Sequence, residues 1–396
     1  MAYMLYNLPP LSPDYSGIAS VFHDLGGLTV IHDASGCTGT YTGYDEPRWF
    51  GSSSPTFCSG LRDMDAIMGD DERLLEKIQR ALEETRAPCV TIIGSPVPMV
   101  IGFDFKGFAS LVERRTGLPA FGFPATGLLY YDQGQRDAYL AIAKRFLREE
   151  PFKHPRKVNI LGASALDGFD DEALDALESL LRAEALETGA IWGARSSLNE
   201  LAASGSAGVN WVITAAALPL ARFLEERYGI PFVAGLPIGG GEEERIRSGL
   251  RAAAEGKKPD RVFPPVKEGG AEALTLILGE ALLCSSLRSC LEEGGEQAAV
   301  GTFFAQGKEL LRPGDRLFIS EEDARQALAA RPFKAVIGDP LIRDLIPDGA
   351  SPAFTALPHR AVSGRIYQES RSRLFGAGAD SRLVSREACT AQEHVP

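Results

Sequence analysis

Short apolar runs recur along this chain, each followed by a stretch of helix length whose apolar residues fall on one face. This alternation restricts the fold more than any other feature. A strand that is apolar throughout has to be covered on both sides, and helices crossing between parallel strands provide that cover. The expected class is therefore α/β with parallel sheets. Strands are predicted at 28–32, 90–94, 120–123, 158–161, 190–192, 211–214, 232–234, 274–278, 300–303, 316–319 and 335–337. Helices are predicted at 70–84, where acidic residues in the first turn favour the helix dipole, and at 172–185 and 218–228.

A chain of 396 residues is expected to hold about two to three domains. Composition breaks twice. Residues 149–157 are charged and contain proline ahead of a fresh strand, while 257–270 cluster Lys, Pro and Gly, so both read as linkers. The expected division is 1–152, 153–268 and 269–364, with a tail at 365–396 rich in Ser, Arg, Ala and Gly.

At 44% hydrophobic and 24% charged residues, the chain falls outside the disordered, collagen-like and coiled-coil classes. Its net charge of −12 argues against nucleic-acid binding, which needs clustered Lys and Arg. No run of about 18 apolar residues occurs, so no membrane span is expected. Residues 1–12 show no basic region leading into an apolar run, so no signal peptide is read and a cytoplasmic location is expected. A P-loop, a Gly-x-Ser-x-Gly elbow, a His-Glu-x-x-His and a Cys-x-x-Cys are all absent. Gly376 and Gly378 give only a fragment of the dinucleotide fingerprint.

The six cysteines are Cys37, Cys58, Cys89, Cys284, Cys290 and Cys389, too sparse for a disulfide framework. In the run Val30-Ile31-His32-Asp33-Ala34-Ser35-Gly36-Cys37-Thr38-Gly39, a strand ends in a small-residue turn that carries a thiol close to a helix start. Backbone amides at such a turn favour anions, thiolate included, and Gly36 would let the backbone approach a bulky inorganic group. The alternative is a buried structural thiol. Cys58 follows 21 residues later, and packing in a loop is its alternative. Cys89 opens an apolar strand and reads as a core thiol, and Cys284 with Cys290 reads as part of one helix without a shared metal-binding face.

Several segments in order resemble component 1 of nitrogenase and its relatives, which include reductases of chlorophyll biosynthesis and cofactor-assembly scaffolds. His32 to Cys37 is similar to the family's His-Gly-Pro-x-Gly-Cys. Asp63 to Gly69 resembles its Glu-x-Asp-Ile-Val-Phe-Gly, and Ile101-Gly102-Phe103-Asp104 resembles its Ile-Gly-Asp-Asp. Arg222 to Pro231 is similar to the stretch running into Tyr-Gly-Ile-Pro, and Pro358 to Gly364 resembles the segment carrying the cofactor-binding histidine. The resemblance runs from Tyr15 to about Tyr367. It implies three Rossmann-like domains around a central interdomain cavity.

The resemblance also implies that Cys37 ligates an interface iron–sulfur cluster. Of the family's three cluster cysteines per subunit this chain keeps one; Pro96 stands at another position, and Cys58 is additional. Two thiolates per chain become four in a symmetric dimer, so a single 4Fe–4S cluster bridging two subunits is expected, held by Cys37 and Cys58 with Gly36 beside them. The family's cofactor cysteine aligns with Ala221, so no iron–molybdenum cofactor and no dinitrogen reduction are expected. His359 occupies the histidine position and is the candidate catalytic residue, donating a hydrogen bond or proton to a small-molecule substrate. The expected partners are a second copy or a paralogous component 1 subunit, and a component 2-like ATP-dependent iron–sulfur reductase. A non-catalytic scaffold for cluster or cofactor assembly, or a small-molecule binder without redox activity, are the alternatives.

Overall fold

Three parallel sheets carry the chain in a computed structural model that describes residues 7–49, 54–69, 71–150, 152–260, 262–265 and 274–363. The first sheet has the order β2-β1-β3-β4, from β1 (Leu28–Ile31), β2 (Thr56–Cys58), β3 (Val90–Ile93) and β4 (Ala120–Phe123). The second runs β6-β5-β7-β8, from β5 (His154–Leu161), β6 (Glu187–Trp192), β7 (Ala207–Val212) and β8 (Phe232–Ala234). The third runs β11-β10-β9-β12-β13, from β9 (Thr275–Leu278), β10 (Ala298–Thr302), β11 (Arg316–Leu317), β12 (Ala335–Gly338) and β13 (Ala353–Ala356). Each strand pairing in the three sheets is parallel. This is the α/β class that the apolar runs require.

Central strands such as β1, β3, β9 and β12 are buried at every residue. The helices α1 (Asp14–His23), α2 (Gly36–Thr40), α3 (Asp63–Met68), α4 (Asp71–Glu84), α5 (Pro96–Val100), α6 (Phe105–Thr116) and α7 (Tyr131–Phe146) belong to the stretch around the first sheet. Around the second lie α8 (Asp171–Ala183), α9 (Leu198–Ala202), α10 (Leu218–Tyr228) and α11 (Gly240–Ala254). The third carries α12 (Ala281–Glu293) and α13 (Glu321–Ala329). Helix α4 shows how local sequence decides orientation: Leu74, Leu75 and Ile78 share the buried face, and Asp71 and Glu72 sit at the positive end of the dipole.

All predicted strands are present, with ends shifted by a few residues. β2 and β13 are additional, and both are edge strands whose residues are only half-buried or exposed. Cys58 therefore closes a strand and does not lie in a loop. The stretch expected to link the first two units is shorter than its composition suggests, because β5 already begins at His154. The tail with Gly376, Gly378, Cys389 and His394, and residues 266–270 of the second expected linker, lie outside the described residues. Among the described residues, no helix is long and apolar enough to cross a membrane.

Two helices tie the parts together. α1 and α7 cross so closely that a methyl group on Gly17 would strike the carbonyl of Tyr131, and one on Gly134 would strike the carbonyl of Asp14. Only glycine permits this approach. Phe22, Tyr139, Trp192, Leu220 and Leu282, drawn from around all three sheets, belong to one contiguous buried cluster.

Candidate functional site

In the parallel pairing of β1 with β2, Ile31 lies beside Cys58, so both strands leave the first sheet at the same edge. There the chain turns through Asp33 into α2. The Asp33 carboxylate organises the turn: one oxygen accepts the backbone N–H of Ser35 at 2.9 Å and of Cys37 at 2.8 Å. The other accepts the Ser95 hydroxyl at 3.2 Å. The Asp33 carbonyl accepts the Cys58 thiol at 3.4 Å and the Ser59 hydroxyl at 3.1 Å, while the N–H of Gly60 donates to the Cys58 sulfur at 3.3 Å. One residue thus holds both candidate ligands at one strand edge.

Both thiols are half-buried. The Cys37 thiol is in hydrogen-bonding contact with Tyr15 and Ser95; burial first, and then the Asp33 charge, push its pKa up. In the metal-free chain Cys37 is a neutral thiol, and metal binding has to displace its proton. Gly36 opens α2 on the exposed side, and a methyl group there would meet nothing within 4 Å. Among the described residues, no group of three or more His, Cys, Asp and Glu is arranged to hold a metal ion. One chain therefore offers two thiols and an open approach, which fits half of a four-thiolate set.

Beside this edge lies a cleft of about 270 Å³, lined among others by His32, Ser59, Asp65, Lys77, Phe103 and Asp104. It brings together the segments Asp63–Gly69 and Ile101–Asp104, which are far apart in sequence. His32 sits at its base with Nδ1 2.8 Å from the Ser59 hydroxyl, its ring packed on Phe103. Burial pushes His32 down to about 4, so the imidazole is neutral. Helix α3, which gives Asp65 and Ala66 to the lining, has no buried residue. Ile67 is 75% exposed and Val100 is 87% exposed, and Met64, Met68 and Phe57 are exposed as well.

The second candidate, His359, lies after β13 in irregular chain, not at a helix start. Its backbone N–H donates to Asp339 at 2.7 Å, and its half-buried ring packs against Tyr131 and Phe304 with centroids 5.6 and 5.1 Å away. Ala221 is fully buried on α10 and adds no ligand atom. The structure does not place Cys89, Cys284 or Cys290 at either location; all three are buried, and burial pushes Cys89 up to about 12.

Sequence reading missed the residues that position the thiols, Asp33, Ser95 and Tyr15. Asp33 stands in the quoted run and Ser95 directly after the predicted strand 90–94, and an acid and a hydroxyl at strand ends are a usable signal. It also missed three acids beside Tyr131, of which Asp132 and Glu280 are buried and Asp167 is half-buried. Asp132 and Glu280 look like ordinary helix-start carboxylates, and Asp167 lies in a short turn.

Parallel sheets whose strand ends carry a cysteine turn, with a histidine segment returning after the last strand, define a nitrogenase component 1-like protein. Residues 15–268 match the family described as nitrogenase component 1 type oxidoreductase, and the chain belongs to that family. It is 29% identical over 218 residues to the nitrogenase iron-molybdenum cofactor biosynthesis protein NifE of Mesorhizobium japonicum, covering 52% of this chain and 42% of that protein. The chain thus spans less than half the length of that relative. Against NifE of Klebsiella pneumoniae the identity is 26% over 420 residues, covering 94% of this chain and 86% of the other. The fold is similar to that of the structure "Nitrogenase Cp1 at pH 6.5", with a TM-score of 0.67 at 13% identity, covering 92% and 88% of the two chains.

Proposed function

We propose that this chain is an iron–sulfur subunit of component 1 type that works as a dimer, receiving electrons from an ATP-dependent iron–sulfur reductase and reducing a small molecule beside His359. The observation that carries this reading is the meeting of Cys37 and Cys58 at one strand edge, both fixed by Asp33 and flanked by exposed apolar side chains. Two chains supply the four thiolates that a 4Fe–4S cluster commonly takes, and a two-fold axis makes the two halves equivalent. The bound cluster supplies one-electron transfer. This chain's own residues do the rest: Asp33 orients both ligands, Tyr15 and Ser95 hold the Cys37 sulfur, and His359 presents a titratable ring to the substrate. The missing thiol at Ala221 argues against an iron–molybdenum cofactor as the resident group. A cytoplasmic setting suits free thiols and an oxygen-sensitive cluster.

A second reading is a scaffold that carries a cluster as cargo for another protein. The relatives named as cofactor biosynthesis proteins favour it. Anaerobic reconstitution followed by iron and sulfide analysis, EPR and solution mass tests both. About two irons per chain on a dimer, lost in Cys37→Ala and in Cys58→Ala, is the expected result. A colourless monomer, or unchanged iron in both variants, would refute the assignment. Incubation with the reductase and ATP separates the two readings: the electron-transfer subunit keeps its iron, whereas a scaffold releases it to an acceptor protein.

A further inference from the structure

The buried carboxylates of this protein fall into two kinds. Glu46 pairs with Arg48, Glu242 with Arg245, Asp315 with Arg288 and Glu292 with Arg312. Among the described residues Asp45 has no cation, yet it accepts three hydroxyls, from Ser12, Ser16 and Ser363. Asp14 is satisfied by the N–H groups of Tyr15, Thr126 and Gly127. Among the described residues, Asp132, Asp167 and Glu280 also lack a cation, forming no ion pair with Lys, Arg or His, but they lie close enough for their charges to act on one another. Asp132 feels the charge of Glu280, and Asp167 feels that of Glu280 and Asp132.

They come from around all three sheets. Asp132 opens α7 after the first sheet, Asp167 follows β5 of the second, and Glu280 caps α12 of the third. The Asp167 carboxyl accepts the Tyr131 hydroxyl at 2.7 Å and the Gln135 amide at 3.1 Å, both from residues with no solvent exposure, so it faces the interior. Gln135 also donates to the Ser164 hydroxyl at 2.7 Å. Asp132 is 3% exposed; one oxygen accepts the N–H of Gln306 at 2.9 Å, the N–H groups of Gln133 and Ala305 also act on the carboxyl, and among the described residues the other oxygen has no partner at full hydrogen-bond geometry. The carbonyl oxygen of Gln135 and the hydroxyl of Tyr139 have none either. Buried polar atoms left in this state call for a water, a proton or a ligand.

We propose that Asp132, Asp167, Tyr131 and Gln135 form a proton reservoir at the junction of the three sheets, one aromatic layer from His359. Tyr131 is the link: its hydroxyl is bonded to Asp167, and its ring faces His359. Burial pushes Asp132 up to about 7 and Asp167 up to about 8, and the charge of Glu280 acts in the same direction on both. Burial pushes the Glu280 carboxyl up as well, and the N–H groups of Ala215 and Leu283, each at 2.8 Å, oppose that shift by holding its charged form. The other titratable groups beside the set are Tyr139 and His359. The neighbouring cations are Arg48, which lowers Tyr139 and is itself committed to Glu46, and Arg360, whose side chain passes Gly168 next to Asp167.

The use of these protons rests on the reading proposed above; their presence does not. The substrate class implied is one that gains hydrogen on reduction. The electrons come from the iron–sulfur reductase, one carboxyl O–H bond breaks for each proton given, a bond to hydrogen forms on the substrate, and water reprotonates the carboxylate.

Infrared titration of the full-length, iron-free chain tests the reservoir without any cluster or substrate. A protonated-carboxyl band should be present at pH 6 and disappear in two steps near pH 7 and 8. Asp132→Asn and Asp167→Asn should each remove one step. Glu280→Gln should move the remaining midpoints to lower pH, a shift that a purely structural role would not produce. Absence of the band in the wild-type protein at pH 6, or persistence of the two steps when both Asn substitutions are combined, would overturn the proposal, whatever the outcome of iron loading.

Discussion

Asp33 accepts the backbone N–H of Cys37 at 2.8 Å, and through its own carbonyl it accepts the thiol of Cys58 at 3.4 Å. The separation between the two candidate ligands is therefore set by one residue that never touches the metal. Asp33→Ala leaves the N–H groups of Ser35 and Cys37 and the Ser95 hydroxyl without their acceptor. A loss of about 1–3 kcal/mol in urea denaturation is expected, with poorer iron retention after desalting. Stability equal to wild type would show that the turn is held by something else.

Asp33 also opposes ionisation of Cys37, after burial. Asp33→Asn removes that charge and keeps the shape. In the metal-free chain the Cys37 thiolate fraction should rise at pH 8, and with it the rate of reaction with a disulfide reagent. Cys58→Ala is the background in which to measure it. A slower reaction would assign the raised pKa to another cause.

Helix α3 makes the opposite prediction, an effect without loss of stability. Met64, Ile67 and Met68 are exposed on a helix that buries nothing. Replacing all three by Ser should change the denaturation free energy of the isolated chain by no more than about 0.5 kcal/mol per site. Association, read by analytical ultracentrifugation and by reductase binding, should weaken markedly. Intact association in the triple variant would remove α3 from any interface.

Gly134→Ala forces a methyl group against the Asp14 carbonyl at the α1–α7 crossing. Overpacking of backbone against backbone should cost about 1–3 kcal/mol. Because Tyr15 lies on α1 and Tyr131 on α7, the shift should appear both in Cys37 reactivity and in the infrared band of Asp167. A change at only one end would mean that the crossing relaxes locally.

The reservoir has a signature in stability. An unfolded Asp loses its proton near pH 3.9, whereas folded Asp132 and Asp167 hold theirs up to about 7 and 8. The stabilisation tied to those protons is complete below about pH 4 and is lost as pH rises through 7 and 8. Asp132→Asn and Asp167→Asn remove the titration, so their stability relative to wild type should climb from pH 5 to pH 9. Denaturation midpoints across that range measure it, and parallel curves would contradict the assignment.

Fold and site were legible in the sequence to different depths, for one physical reason. Strands such as Leu28–Ile31 and Val336 with its neighbours are covered on both faces, so burial writes itself as an unbroken apolar run. Thr56–Cys58 and Ala353–Ala356 are edge strands with mixed exposure and leave no such run. The cysteine turn was readable because thiol, glycine and strand end are contiguous in the chain. Asp132, Asp167 and Glu280 were not, since each has ordinary neighbours and only the packing of distant segments deprives it of water and counter-charge.

That last feature has a consequence for biosynthesis. The ribosome releases Asp132 first, Asp167 shortly after, and Glu280 more than a hundred residues later. Until the third sheet docks, Asp132 lacks the N–H of Gln306, and both carboxyls lack the charge of Glu280. The proposed reservoir is therefore assembled in stages and completed only by the last of the three sheets.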